Sequence, residues 1–333
     1  MTAATTPYGY LDLPPEQRDY ATARIAVLPC PFDGTSTYGK GADQGPAKLI
    51  EASGQVEFFD LELRRKVCER GIVTLPAVEF VDEDPAKAVA AIEAAALPAV
   101  RDGKFLLGLG GEHSVSIGLT RAVRAVHGRF SLLHVDAHAD LRAEWHGSPY
   151  NHACAIHAIA EDDREATIVS IGIRAVGEDE LVYAKERGVH LFPGHTLRHR
   201  KDWIREAVAL LEDPVYVTID LDGLDPTVMP STGTPVPGGL DWWQVVDLVK
   251  EIGAKKRVIA CDVNELKPDG VNHHSEFLAA QLSYKMLNCF VDPPRPAKAR
   301  AAASRGATKA AKKPATKAAT KPATTRSRKR AGR

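Results

Sequence analysis

Asp136, His138 and Asp140 occupy every second position of "HVDAHADLRAEW" (residues 134–145), directly after an apolar run. If the backbone stays extended through 136–140, residues i, i+2 and i+4 project to one side, and the three side chains share a face. The same alternation recurs at Asp220 and Asp222 in "DLDGLDP", and "GGEHS" adds His113, for a total of four carboxylates and two imidazoles. Four negative charges gathered in a cleft raise one another's pKa and lose hydration, which costs free energy unless cations compensate. Two divalent cations neutralise all four. Oxygen-rich donors with a minority of imidazoles and no thiolate favour Mn²⁺ over structural zinc, although affinity alone favours zinc or copper. A pair of metals about 3.5–4 Å apart brings the pKa of a shared water towards neutrality and so supplies a nucleophile for hydrolysis.

Each of these clusters follows a run that reads as a buried strand. "KFLLGLG" (104–110) precedes the first, "FSLLHVD" (130–136) contains the start of the second, and "PVYVTIDLD" (214–222) contains the third. Three further runs, "ARIAVLPC" (23–30), "ATIVSIGI" (166–173) and "RVIACDV" (257–263), have the same aliphatic, β-branched character. Amphipathic helical patterns lie between them at 84–103, 116–128, 177–188 and 242–253, several ending in Gly. Continuous apolar strands alternating with such helices predict an α/β protein, a three-layer α/β/α arrangement with a mostly parallel central sheet. In open α/β sheets ligands collect at the carboxyl ends of strands, so three polar clusters at three strand ends can converge on one crevice. Gly110 and Gly111 read as a turn of close backbone approach, Cys154 as a small packing residue, and Trp242 and Trp243 as the packing face of a helix.

The chain of 333 residues carries 43 basic and 43 acidic side chains, but unevenly. Residues 295–333 hold 14 Lys and Arg and no Asp or Glu, leaving 29 basic against 43 acidic in 1–294. Residues 293–333, rich in Ala, Lys, Thr and Pro with imperfect "KPATKAAT" repeats, have almost nothing to bury and are expected to be a disordered basic tail. Residues 1–22 read as a loosely structured N-terminal arm and 23–292 as the catalytic domain. Five scattered cysteines without a CxxC pair indicate neither disulfide framework nor zinc knuckle, and a reducing cytoplasm fits them. The N-terminal stretch lacks a signal-peptide pattern and no run of 18 apolar residues occurs, so no membrane span is expected.

"GGEHS", "DAHAD" and "DLDGLDP", in this order on an α/β pattern, resemble the three signature segments of the ureohydrolases, the arginase and agmatinase family. The resemblance covers roughly residues 23–290, and "PCPFDGTSTYGKGADQGPAKLIEAS" is similar to the agmatinase-like branch. It implies two Mn²⁺ per subunit, one held by His113, Asp136, Asp140 and Asp220, the other by Asp136, His138, Asp220 and Asp222, with Asp136 and Asp220 bridging. It also implies that Glu265 in "DVNELKP" holds the substrate guanidinium and that His152 in "YNHAC" shuttles a proton to the leaving amine. Before His152 the stretch "GSPYNHAC" departs from the polar loop with which arginases meet an α-carboxylate. That departure favours a guanidino-amine: agmatine, giving putrescine and urea for polyamine synthesis, with N1-aminopropylagmatine second and guanidinobutyrate and formiminoglutamate open. The resemblance further implies a homo-oligomer, trimer or hexamer. Deacetylase-like amidohydrolases share the fold but use one zinc, which makes metal stoichiometry the discriminator. The tail's positive charges could also contact nucleic acid nonspecifically.

Overall fold

The computed structural model of the chain describes residues 9–293. The tail expected at 293–333 lies, apart from Pro293, outside the described residues. Eight strands form one sheet: β1 (Ile25–Cys30), β2 (Ile72–Thr74), β3 (Phe105–Gly110), β4 (Ser131–Val135), β5 (Ile168–Ile171), β6 (His190–Phe192), β7 (Val215–Asp220) and β8 (Val258–Asn264). Their order is β2-β1-β3-β8-β7-β4-β5-β6, and every pairing is parallel. The sheet is therefore wholly rather than mostly parallel, and all eight strands point their carboxyl ends the same way. The six expected strands are present. The short edge strands β2 and β6 were not expected, because three residues are too few to show a period.

Nine helices connect the strands among the described residues: α1 (Gly45–Ser53), α2 (Pro85–Arg101), α3 (Val115–His127), α4 (Ala155–Asp162), α5 (Glu178–Arg187), α6 (Gly194–Leu197), α7 (Trp203–Leu210), α8 (Trp242–Lys255) and α9 (His274–Phe290). Strand side chains alternate between two apolar cores. Val27, Leu107, Leu133 and Val217 pack with α1, α7, α8 and α9 on one face. Leu28, Leu106, Leu132 and Tyr216 pack with α2, α3, α4 and α5 on the other. This period-two division makes the three-layer sandwich, because a strand buried on both faces needs apolar residues at every position. Five helices, α1, α4, α6, α7 and α9, were not among those expected, and α9 is the longest of them. Its buried face interleaves Ser275, Glu276, Ser283 and Asn288 with the aliphatics, which blurs the apolar stripe.

The arm expected over 1–22 differs from 9 onward. Tyr10, Leu11 and Leu13 are fully buried. The Tyr10 hydroxyl pairs with Ser283 of α9 at 2.8 Å, and the Leu11 backbone N–H donates to Ser53 of α1 at 2.7 Å. Three large apolar side chains are enough to pin a short segment against the sandwich, where burying each contributes roughly 1.5–3 kcal/mol.

Candidate active site

The strand order places β3, β8, β7 and β4 side by side, so four central strands discharge their loops at one end. The Gly110–Gly111 turn after β3 is required by crowding. A Cβ on Gly110 would overlap the Asn264 side chain of β8, and one on Gly111 would overlap the carbonyl of Phe32 in the loop after β1. Hydrogen bonds use that proximity: Glu265 N–H donates to Gly111 O at 2.8 Å and Glu112 N–H to Phe32 O at 2.8 Å. The turn thereby delivers His113, whose own N–H donates to Glu265 Oε1 at 2.7 Å.

His113 Nδ1 lies 3.0 Å from Asp136 Oδ2, 3.0 Å from Asp140 Oδ2 and 3.5 Å from Asp220 Oδ2. His138 Nδ1 lies 3.1 Å from Asp222 Oδ2 and 3.5 Å from Asp136 Oδ1. Asp136 thus contributes to two donor groups, one with His113 and Asp140 and one with His138 and Asp222. The local geometry is not the continuous extension expected over 136–140. Strand β4 stops at Val135, and Asp140 adopts a left-handed φ of 52°. Nor does the Asp220/Asp222 pair rest on strand alternation: β7 ends at Asp220 and a 3₁₀ turn follows, Asp222 N–H donating to Asp220 Oδ1 at 2.8 Å. Turns, which can aim a side chain where a strand cannot, complete the convergence. Glu265 is also left-handed (φ 65°). Non-glycine residues held this way cost of order 1–3 kcal/mol and cluster at functional sites.

The electrostatics show why cations fit. Among the described residues no lysine or arginine forms an ion pair with Asp136, Asp140, Asp220, Asp222 or Glu265. Burial, reinforced by Asp136, pushes Asp140 up to about 6. Burial and then the charges of Asp222 and Asp136 push Asp220 well above the carboxylate range. Burial and then Glu112 and Asp222 do the same to Glu265. Burial alone would raise Asp136 too, but the histidines at its oxygens hold it well below its ordinary value. Burial opposes charge on His138, yet contacts with Asp136 and Asp222 push it up to about 11. Without cations, protons must take their place on a set of donors that are otherwise all acceptors.

An outer ring of side chains that sequence reasoning missed aims the donors. Tyr216 and Thr218 on β7 donate to Asp262 of β8 at 2.5 and 2.6 Å. With its proton so committed, Thr218 Oγ1 accepts from His113 Nε2 at 2.9 Å. That leaves the Nδ1 lone pair turned to the carboxylates, the usual way a partner fixes the tautomer of a ligating histidine. His134 Nε2 lies 2.8 Å from Asp136 Oδ2, and its Nδ1 lies 3.0 Å from Ser170 Oγ. Its signal was present two residues before Asp136, on the same strand face. Arg174 pins the 222–224 turn, donating to Asp222 O at 2.6 Å and to Val236 O at 2.7 Å.

His152 opens a short 3₁₀ turn capped by Asn151, whose Oδ1 accepts from Ala153 N–H at 3.0 Å. It lines a cavity of about 290 Å³ together with His138, Asp140, Trp145, Glu180 and Thr234. Burial, aided by the charge of His138, pushes His152 down to about 4, which favours the neutral ring. A polar chamber that holds a cation-ready carboxylate array and a neutral imidazole is suited to hydrolysis.

The model of the arginase family matches residues 23–288. The chain is 42% identical over 268 residues, 80% of this chain and 90% of the relative, to N(1)-aminopropylagmatine ureohydrolase of Thermus thermophilus. It is 36% identical over 83% of its length to the protein of the same name from Synechocystis, of which 92% is covered. Among solved structures it superimposes on the agmatine ureohydrolase of Thermoplasma volcanium with a TM-score of 0.74 at 31% identity, covering 81% of this chain and 90% of that one.

Proposed function

The chain belongs to the arginase family of ureohydrolases, and from that premise we propose that it releases urea from N1-aminopropylagmatine, with agmatine as the second substrate. The observation that carries this order is the identity of 42% and 36% to two relatives named for the aminopropyl compound, against 31% and 32% to relatives named agmatinase. It reverses the order expected from the residues before His152, where only the missing carboxylate contact was legible.

In this reading His113, Asp136, Asp140 and Asp220 would hold one Mn²⁺, and Asp136, His138, Asp220 and Asp222 the other. When bound, such a pair would neutralise the carboxylates and supply Lewis acidity that makes water a nucleophile near neutral pH. The remaining work falls to the protein. The guanidinium carbon is a poor electrophile because its charge is delocalised, so it must be held in line with the attacking oxygen. Glu265, fixed through Oε1 by the His113 N–H, presents its carboxylate to the guanidinium and orients it. As water adds and the C–N bond to the chain breaks, the departing amine nitrogen needs a proton; His152 takes one from the water side and passes it on. The products are urea and the protonated amine.

The test is urea release from N1-aminopropylagmatine, agmatine, arginine and guanidinobutyrate by manganese-loaded protein, with metal per chain counted in the same sample. Two metals and urea from the first two compounds are expected. No urea with a single zinc bound would overturn the proposed reaction and its two-metal site. We also propose a homo-oligomer of trimeric or hexameric order and nonspecific nucleic-acid contact by residues 295–333. Mass photometry checks the first. A salt-dependent DNA shift abolished by deleting 295–333, with hydrolysis intact, checks the second.

A further inference from the structure

The loop after β1, quoted above as "PCPFDGTSTYGKGADQGP", carries an arrangement that the reaction as described leaves unused. Glu112, buried beside His113, accepts through Oε2 from the backbone N–H of Thr35 at 2.6 Å and of Ser36 at 3.0 Å. Through Oε1 it accepts from the hydroxyls of Thr35 and Ser114, each at 2.6 Å. Thr35 Oγ1 in turn meets His152 twice. The His152 backbone N–H donates to it at 2.9 Å, and His152 Nδ1 lies 3.1 Å away.

A hydroxyl has one proton and two lone pairs. The Thr35 proton is committed to Glu112, so towards His152 this oxygen can only accept. A neutral imidazole has one N–H, and the Thr35 contact draws it to Nδ1. The lone pair then resides on Nε2. We infer that Thr35, anchored by Glu112, is a positioning residue that sets the tautomer and orientation of His152, leaving Nε2 as the nitrogen that handles the proton. During turnover Nε2 takes a proton from the water side, the ring becomes imidazolium with Nδ1–H still on Thr35, and Nε2 gives the proton to the amine as the C–N bond breaks. The ring returns to its starting tautomer without a flip.

The kinetic part of this inference rests on the ureohydrolase reading; the tautomer does not. Thr35→Val removes the hydroxyl at nearly constant volume, and Thr35→Ser keeps it. In metal-loaded full-length protein, Thr35→Val is expected to lower kcat about 10–100-fold, by analogy with removing the hydrogen-bond partner that orients a metal-ligating imidazole. KM should stay within about twofold, metal content should be unchanged, and Thr35→Ser should recover most of the rate. Two-bond ¹H–¹⁵N spectra of ¹⁵N-histidine-labelled protein, with His152 assigned from its absence in His152→Asn, should show the Nδ1–H form in the parent and its loss in Thr35→Val. An Nε2–H ring in the parent overturns the inference. So does an unchanged kcat in Thr35→Val, loss of metal in that variant, or a Ser variant as impaired as the Val one. If the parent releases no urea from any guanidine, the reaction reading fails while the spectra still decide the tautomer.

Discussion

Asp136 touches both donor groups and is oriented by His134 from behind, so its loss affects both cation positions at once. Asp136→Asn keeps the shape but removes the charge. It is expected to lower metal content below two per chain and turnover by more than about 100-fold, read by elemental analysis and urea release. Retention of two metals would remove it from the shared position. His152 touches no donor at hydrogen-bond distance, and His152→Ala should keep the metals while kcat falls about 10²–10⁴-fold, the usual worth of a positioned acid or base. Unchanged turnover would exclude it. At this scale the donor residues were legible because their types and spacings are local properties of the sequence. His134 carries the same signal, two residues before Asp136; Thr218, Asp262 and Thr35 carry none, since their significance lies in contacts between residues far apart in the chain.

The elements differ in how strongly they couple to this chemistry. Gly111 sits where the β3 turn crosses the loop after β1, and Gly111→Ala forces a Cβ onto the Phe32 carbonyl. We expect about 1–3 kcal/mol of destabilisation together with a fall in kcat, because the displaced loop carries Thr35. Asp84, by contrast, caps α2, its carboxylate accepting from Ala86 N–H at 2.9 Å and Lys87 N–H at 3.3 Å and from none of the loop that carries Thr35. Asp84→Ala should cost about 1 kcal/mol and leave kcat unchanged. Paired denaturation and rate measurements on the two variants check whether stability and turnover part in this way. The six longer strands and helices α2, α3, α5 and α8 were readable from apolar runs and their period. The short β2 and β6, and α9 with its buried polar residues, were not, because their local patterns are too brief or too mixed to announce an element that packing alone stabilises.

For the molecule as a whole, the crowded carboxylates make stability depend on cations and on pH together. In metal-free protein Asp140 rises from 3.8 to about 6. The folded state then binds more protons than the unfolded one in that window, so this group's contribution to stability falls as pH rises through it. Cations reverse the trend, since they bind deprotonated donors and stabilise only the folded state. The gap in Tm between manganese-loaded and chelator-treated protein should therefore widen between pH 5 and pH 7.5. Calorimetry at several pH values checks this, and a constant gap would exclude Asp140 from the metal set. The sequence by itself determined the donor chemistry, the alternation of strand and helix, and the location of each polar cluster after a buried strand, because composition and period are carried by neighbouring residues. Only the tertiary structure decided that β8 lies between β3 and β7, which brings Glu265 to His113. It also decided that the turns at Asp140 and Asp222, rather than extended strands, close the cluster. Strand order and left-handed turns are selected by packing between segments far apart in the chain, and no local pattern encodes that choice.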